Sequence, residues 1–389
     1  MIAARDVSSN WKTIPWNRVF GGEIVADRLF LRSALIRKDL LPRYCPAHAP
    51  VTHALASAAE AAAVEAAGAS APTCLNPSGL AYATRWVVKP SDSSNAFGVR
   101  FCEKDAGALE ACVAGALALE RDACWVAQAC VPSLPLLARG HKFHLRCLVL
   151  FAGDLEVFVY DDARVLIAPV PMDDPGDHAH VTNRSFNKEH AAYVAATHNV
   201  ALGDCAALGD GAAWGDRGGA LKQVRAITAT LAKALVAHAA DMAAARGAAA
   251  AGDAARAAGA EAAGDAAEAA GDAAGAADAP PPPPPGAGKK PQRHFFALPN
   301  AYELFGFDFM VDDGMRVVLL EANPEPSMDM WGKTKGEILR GKCPVTDGVP
   351  RSDERTGFTK VYSKRFEAAL AMMREEKRRA KAAAAAAAP

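Results

Sequence analysis

The sequence predicts an α/β protein of the α+β kind, and three stretches carry that reading. They are two β-rich runs around Asp313-Gly314, an alternating run from Lys142 to Leu148 that turns and returns, and a helical stripe between strands after Asp105. Asp-Gly between β-rich runs is a strong hairpin signal, so Asn300 to Val311 and Met315 to Asn323 are expected as paired strands. Alternation sets Phe305, Phe307, Phe309 and Val311 on one face and Leu304, Gly306, Asp308 and Met310 on the other.

On the second strand, regular alternation groups Val317, Leu319, Glu321 and Asn323. A two-residue Asp313-Gly314 turn places Asp308 opposite Leu319 and diagonal to Glu321, with Cβ atoms roughly 7–8 Å apart or somewhat less. Two carboxylates and an amide oxygen at strand spacing are hard oxygen ligands of the kind that hold Mg²⁺ against nucleotide phosphates. Asp308, Glu321 and Asn323 are therefore the expected metal set, the alternative being a satisfied polar Asp308 and a Glu321 that marks a strand end.

The chain is 389 residues long, enough for two or three domains, although much of its apolar content is alanine in low-complexity tracts. A net charge of −1 gives no global field toward DNA or a membrane, so neither is an expected partner. The nine cysteines are dispersed, without a Cys-x-x-Cys pair, which reads as a reduced, cytoplasmic protein. No apolar run approaches the ~18 residues of a membrane span, and no basic segment with an apolar core opens the chain.

In chain order, residues 29–41 are too short a window to separate strand from amphipathic helix, and 52–70 read as an alanine-rich helix before a loop at Ser70-Ala71-Pro72. Thr84 to Pro90 is a strand ending in Lys89, followed by the small, polar loop Ser91 to Ala96 and a second strand at 98–102. Backbone N–H groups beside small side chains, with an ammonium close by, suit phosphate oxygens. Asp105 is placed to cap a helix running to Glu120, and Cys124 to Gln128 reads as a buried strand.

Lys142, His144 and Arg146 share one strand face, with Phe143, Leu145 and Cys147 on the other; facing a cleft, such cations bind phosphate or carboxylate. His178 and His180 lack a third metal ligand at a recognisable spacing. Residues 219–243 form an amphipathic helix, 246–292 read as a disordered Ala/Gly/Pro-rich insert, and the chain past Trp331 is polar before a last amphipathic turn at 366–373. The basic tail at 374–381 is either a solvated helix end or a contact for an acidic partner.

Taken in order, six segments resemble the tubulin–tyrosine-ligase-like family. They are Lys89-Pro90-Ser91, Gln128 at a strand end, Lys142-Phe143-His144-Leu145-Arg146, His180-Val181-Thr182-Asn183, Leu304 to Met310 and Leu319-Leu320-Glu321-Ala322-Asn323, with Ile36 to Leu41 similar to the family's N-terminal lobe. The resemblance implies an ATP-grasp fold with a small N-terminal lobe and central and C-terminal ATP-grasp subdomains. The lobe would span 1–82, the ligase domain 83–245 and 293–345, and a C-terminal helix and basic, Ala-rich tail 346–389.

It further implies that Lys89 and Lys142 contact ATP phosphates, that Gln128, Ala129, Cys130 and Val131 meet the adenine, and that Gly98, His144, Thr182 and Asn183 line the nucleotide pocket. Asp308, Glu321 and Asn323 would bind Mg²⁺, and Arg146 would face the amino acid or the acyl phosphate. Lys142, Arg146 and Glu321 would be the catalytic groups. The implied reaction joins a free amino acid to a protein tail, tubulin's or another acidic one, in the cytoplasm near the cytoskeleton. The alternatives are a ligase-like scaffold that has lost catalysis and a ligase for a small-molecule carboxylate.

Three departures resemble the divergent fungal and algal branch of the family. His144 stands where aspartate is common, Ala96-Phe97-Gly98 replaces a more glycine-rich loop, and Leu166 stands where an arginine usually grips the incoming amino acid. Arg164 lies nearby, on the same strand face if the register is regular.

Overall fold

The computed structural model describes residues 14–82, 85–94, 96–120, 124–132, 140–204, 219–240, 294–339 and 357–365, with parts of a following helix as far as Arg378. The insert expected at 246–292 and most of the basic tail lie outside the described residues. In chain order the strands are β1 (Thr52–Leu55), β2 (Arg85–Pro90), β3 (Arg100–Glu103), β4 (Trp125–Ala129), β5 (Phe143–Ala152), β6 (Glu156–Ile167), β7 (Asn199–Ala201), β8 (Tyr302–Val311), β9 (Val317–Pro324) and β10 (Phe358–Ser363). They form two antiparallel sheets, a smaller one ordered β1-β4-β2-β3 and a larger one ordered β10-β6-β5-β8-β9, with β7 paired to β6.

The large sheet buries the phenylalanine face that alternation predicts. Phe305, Phe307 and Phe309 pack with Phe143, Val149 and Phe151 of β5 and with Val224, Ile227, Leu231 and Leu235 of the helix at 219–240. Fully burying side chains of this size contributes about 1.5–3 kcal/mol each. The small sheet turns Trp86, Val88, Ala127 and Ala129 toward the helices Ala58–Ala67 and Ala108–Leu119. Its opposite face, with Val87, Lys89, Phe101 and Gln128, looks across a cleft at the large sheet.

Four local expectations are corrected. Thr52 to Leu55, read as the start of a helix, is strand β1, because its backbone completes the edge of β4. The helix then opens at Ser57, whose hydroxyl accepts from the Glu60 N–H. Asp105 does not cap the Ala108–Leu119 helix with its side chain: Gly107 occupies the cap, and the Glu65 carboxylate accepts from the Gly107 and Leu109 N–H groups at 2.9 and 2.7 Å. Beyond Trp331, the polar-looking chain supplies a short helix, Lys335–Leu339, and the edge strand β10.

The fourth correction concerns the hairpin. Its loop is Asp313-Gly314-Met315, closed by Asp312 N–H to the Arg316 carbonyl at 3.0 Å and Met315 N–H to the Asp312 carbonyl at 3.0 Å, with Met315 left-handed at φ 61°. Phe309 therefore opposes Leu319, and Leu320 is an extra, unpaired residue in β9. Past this bulge Asp308 opposes Glu321, not Leu319 as a regular two-residue hairpin requires. Val317 and Leu319 join the phenylalanine core, whereas Glu321 and Asn323 stand on the cleft side with Asp308.

At the far end of the long helix, Leu235, Val236, Ala239 and Ala240 share an apolar groove with Phe295, Phe296 and Ala297. The returning chain is held there by the Ala34 N–H and the Ser33 hydroxyl, both donating to the His294 carbonyl at 3.0 and 3.1 Å.

Candidate functional site

β5, β8 and β9 lie side by side, and their cleft-facing residues form one ionic constellation. Arg146 opposes Asp308 across β5 and β8 and grips it bidentately, Nε to Oδ1 at 2.7 Å and Nη2 to Oδ2 at 2.5 Å. Gly306 makes room for this: a Cβ there would lie 3.4 Å from Arg146 Cδ and 3.0 Å from Pro326 Cβ. His144 sets its Nε2 3.5 Å from Asp308 Oδ1, while its Nδ1 lies 2.6 Å from the Thr182 hydroxyl. Burial pushes the Asp308 carboxyl upward, but Arg146 and His144 outweigh it and hold the group well below the usual carboxylate range.

The Asn323 amide donates to Asp308 Oδ2 and to Glu321 Oε1, each at 3.0 Å. A positive dipole thus bridges two convergent anions, the electrostatic demand that a divalent cation meets, and the oxygens of two carboxylates and an amide are a hard donor set. These residues fit Mg²⁺. Among the described residues, no group of three or more His, Cys, Asp or Glu side chains gathers around a metal position, so the third donor of this set is the Asn323 amide. His178 stacks on Phe186 at 4.4 Å and bonds Asn187, while His180 bonds Arg85 at 3.1 Å, so the two histidines are engaged separately.

Across the cleft, Lys89 donates to Gln128 Oε1 at 3.0 Å, and Gln128 is fixed in turn by donating to the Thr52 hydroxyl at 3.1 Å. Burial lowers the Lys89 ammonium to about 8, against the opposing pull of Glu321. Lys142 Nζ lies 3.9 Å from Cys130 Sγ. A third ammonium, that of Lys38, donates to the Ser93 carbonyl and lies 3.7 Å from Glu321 Oε2. The backbone next to Lys38 is pinned to the end of β2, with the Lys38 N–H on the Ser91 carbonyl at 3.2 Å and Asp39 bonded to the Ser91 hydroxyl.

The cleft is open to solvent and has an interior volume of about 130 Å³. Val87, Val131, Met310 and Leu320 contribute apolar lining, and Lys38, Lys89 and Lys142 contribute three cations. Of the residues named from the sequence, Lys89, Gln128, Ala129, Cys130, Val131, Lys142, His144, Thr182, Asn183, Asp308 and Glu321 line it. Arg146 and Asn323 stand behind, holding the two carboxylates. Gly98 does not line the cleft; it turns the chain at φ 69° against Pro90, where a Cβ would come within 3.0 Å.

Arg164 opposes Arg146 in the β5–β6 register, and Leu166 opposes His144, so both stand on the cleft side of the large sheet. Leu166 is buried in the cluster around Met330 and Trp331, and the Arg164 guanidinium lies 5.4 Å from the Trp331 ring. Sequence reasoning missed Lys38, Phe101, Met310 and Leu320. Lys38 offered one signal, a lysine set in the largely apolar run 29–41; Leu320 offered none, since a bulge leaves no mark on composition.

A sequence model described as the tubulin-tyrosine ligase family matches residues 46–243 and 286–341. No curated protein matches the chain. Among solved structures it is similar to the crystal structure of the C-terminal domain of K. lactis Pby1, described as an ATP-grasp enzyme interacting with the mRNA decapping enzyme Dcp2. The likeness has a TM-score of 0.51 at 19% identity and covers 91% of this chain and 86% of that one. The fold expected from the resemblance, ATP-grasp, is the fold observed.

Proposed function

The chain belongs to the tubulin-tyrosine ligase family, and from that premise we propose that it is an ATP- and Mg²⁺-dependent carboxylate–amine ligase. Its acceptor is an acidic protein tail, with tubulin's the favoured one, and its co-substrate a free amino acid. The observation that carries this reading is the convergence of Lys38, Lys89 and Lys142 on the same cleft as the carboxylates of Asp308 and Glu321, which the Asn323 amide bridges. The site is cationic where phosphates are to be held and anionic where a hard cation is to be held.

In the proposed reaction a substrate carboxylate oxygen attacks the γ-phosphorus of ATP, ADP leaves, and an amine then displaces phosphate from the acyl phosphate to form an amide. Lys89 and Lys142 hold the phosphates and offset their charge, and Lys38 ties the Ser91–Ser94 loop to the carboxylate wall. Arg146 keeps Asp308 ionised and in place. Asp308, Glu321 and Asn323 are the residues that would hold Mg²⁺, which when bound supplies further positive charge to the phosphate oxygens.

Nucleotide titrations with and without Mg²⁺, on wild type and Glu321→Gln, test the cleft. Metal-dependent binding that Glu321→Gln loses supports the reading, and equal binding in all four cases ends it. Mass spectrometry of tubulin tails incubated with the protein, ATP and mixed amino acids tests the acceptor.

One observation favours a second reading, a ligase fold that binds nucleotide and a protein partner without turnover: both Asp308 oxygens are already engaged by Arg146. The similar Pby1 domain is described as interacting with another protein. Nucleotide binding with no amino-acid-dependent release of ADP would select this alternative.

A further inference from the structure

Every carboxylate oxygen of Asp308 and Glu321 already faces a positive group. Asp308 Oδ1 accepts from Arg146 Nε at 2.7 Å, and Oδ2 accepts from Arg146 Nη2 at 2.5 Å and from the Asn323 amide at 3.0 Å. Glu321 Oε1 accepts from the same amide at 3.0 Å, and Oε2 lies 3.7 Å from the Lys38 ammonium. The formal charges of the two carboxylates are thus answered by those of Arg146 and Lys38, while Lys89 and Lys142 line the same cleft. A divalent cation coming alone would find no negative charge left to neutralise, whereas one carried by a polyphosphate brings that charge with it.

Lys38 is placed by the fold and does not swing in from the surface. It lies between the short helices Ser33–Ile36 and Leu41–Tyr44, and its N–H donates to the Ser91 carbonyl at 3.2 Å. The next N–H, that of Asp39, donates to the Ser91 hydroxyl at 3.2 Å, and Arg37 grips the Asp39 carboxylate through Nε and Nη2, each at 2.9 Å. The Lys38 side chain is 7% exposed, and one of the three donors of its ammonium goes to the Ser93 carbonyl. The remaining donors can turn from Glu321 to a phosphate oxygen without moving the backbone. We propose that Lys38 is a positioning residue that closes Glu321 to a free divalent cation and yields it when a polyphosphate takes up the ammonium's charge, so that metal and nucleotide bind as one unit. This inference rests on the reading of the cleft as a metal–nucleotide site.

The test is equilibrium dialysis of the full-length chain against Mn²⁺, with and without a non-hydrolysable ATP analogue on both sides of the membrane. Retention beyond that of Glu321→Gln counts as binding at the site. Wild type and Lys38→Arg, which keeps the charge, should retain no Mn²⁺ without the analogue and should retain it once the analogue is present. Lys38→Met should retain Mn²⁺ without nucleotide, its affinity for the free ion raised on the order of ten-fold or more. Lys38→Gln, a second neutral variant, should do the same. Free-ion affinity that is equal in wild type and in the folded neutral variants, whether present or absent, would overturn the proposal. No retention by wild type even with the analogue would overturn the metal–nucleotide reading itself, and this inference with it.

Discussion

Arg146 and Asp308 face each other across β5 and β8 and are joined by two parallel hydrogen bonds in a nearly dry setting. Removing the guanidinium strands a buried carboxylate, so Arg146→Ala should lose about 3–5 kcal/mol of stability in urea unfolding. Arg146→Lys keeps the charge but not the fork and should fall between. A loss below about 1 kcal/mol in Arg146→Ala would mean that water already satisfies Asp308.

The same pair sets an acid dependence. The Asp308 carboxyl is depressed from its ordinary 3.8, so the folded state binds fewer protons than the unfolded one in the window below that value. Its contribution to stability is complete above 3.8 and is lost as pH falls through the folded value. Arg146→Ala should therefore move the midpoint of acid unfolding to higher pH, measured by circular dichroism; an unmoved midpoint would contradict the assignment.

Lys89 gives the opposite end of the scale. Its ammonium, lowered to about 8 by burial, loses its charge as pH rises through that value, so nucleotide affinity should fall between pH 7 and 9. Lys89→Arg, which stays charged throughout, should flatten that fall in a fluorescence titration. With the folded pKa depressed, the unfolded chain binds more protons between about 8 and the ordinary 10.5, and the Lys89 contribution to stability rises with pH across that window.

Asp312 anchors the hairpin loop. Oδ1 accepts from the Gly314 and Arg316 N–H groups at 3.0 and 2.8 Å, and Oδ2 from the Tyr82 hydroxyl and Arg316 Nε at 3.0 and 2.8 Å. Asp312→Ala should cost about 2–3 kcal/mol, because donors including the Tyr82 hydroxyl are left without an acceptor. Tyr82→Phe in the same chain should restore part of that loss, which a double-mutant cycle of thermal unfolding measures.

The bulge at Leu320 allows a sharper test than any point substitution. Leu320→Ala keeps the register and should leave metal-dependent nucleotide binding in place. Deleting Leu320 removes the bulge but leaves Glu321 next to Leu319, still opposite Asp308 and on the cleft side with Asn323, so binding should survive there too. Loss of binding in the deletion alone would show that the bulge does more than set the register.

What the sequence revealed followed from periodicity. Phe305, Phe307 and Phe309 repeat every second residue and the core takes them as a block, and Lys142, His144 and Arg146 share the face that alternation assigns. What it concealed followed from contacts between distant segments. Thr52 to Leu55 is a strand only because β4 offers it an edge. Glu321 reaches Asp308 only through the unpaired Leu320, and Lys38 enters the cleft only because Asp39 is tied to Ser91 across the chain. Local composition carries no trace of such pairings.

The groove that joins Ala239 and Ala240 to Phe295 and Phe296 brings the end of the long helix beside the point where the chain returns. The Ala34 and Ser33 clasp on His294 therefore fixes where the chain enters β8 and so keeps Asp308 in register. Ser33→Ala, which removes one of the two donors, should lower the melting temperature while leaving the cleft residues in place.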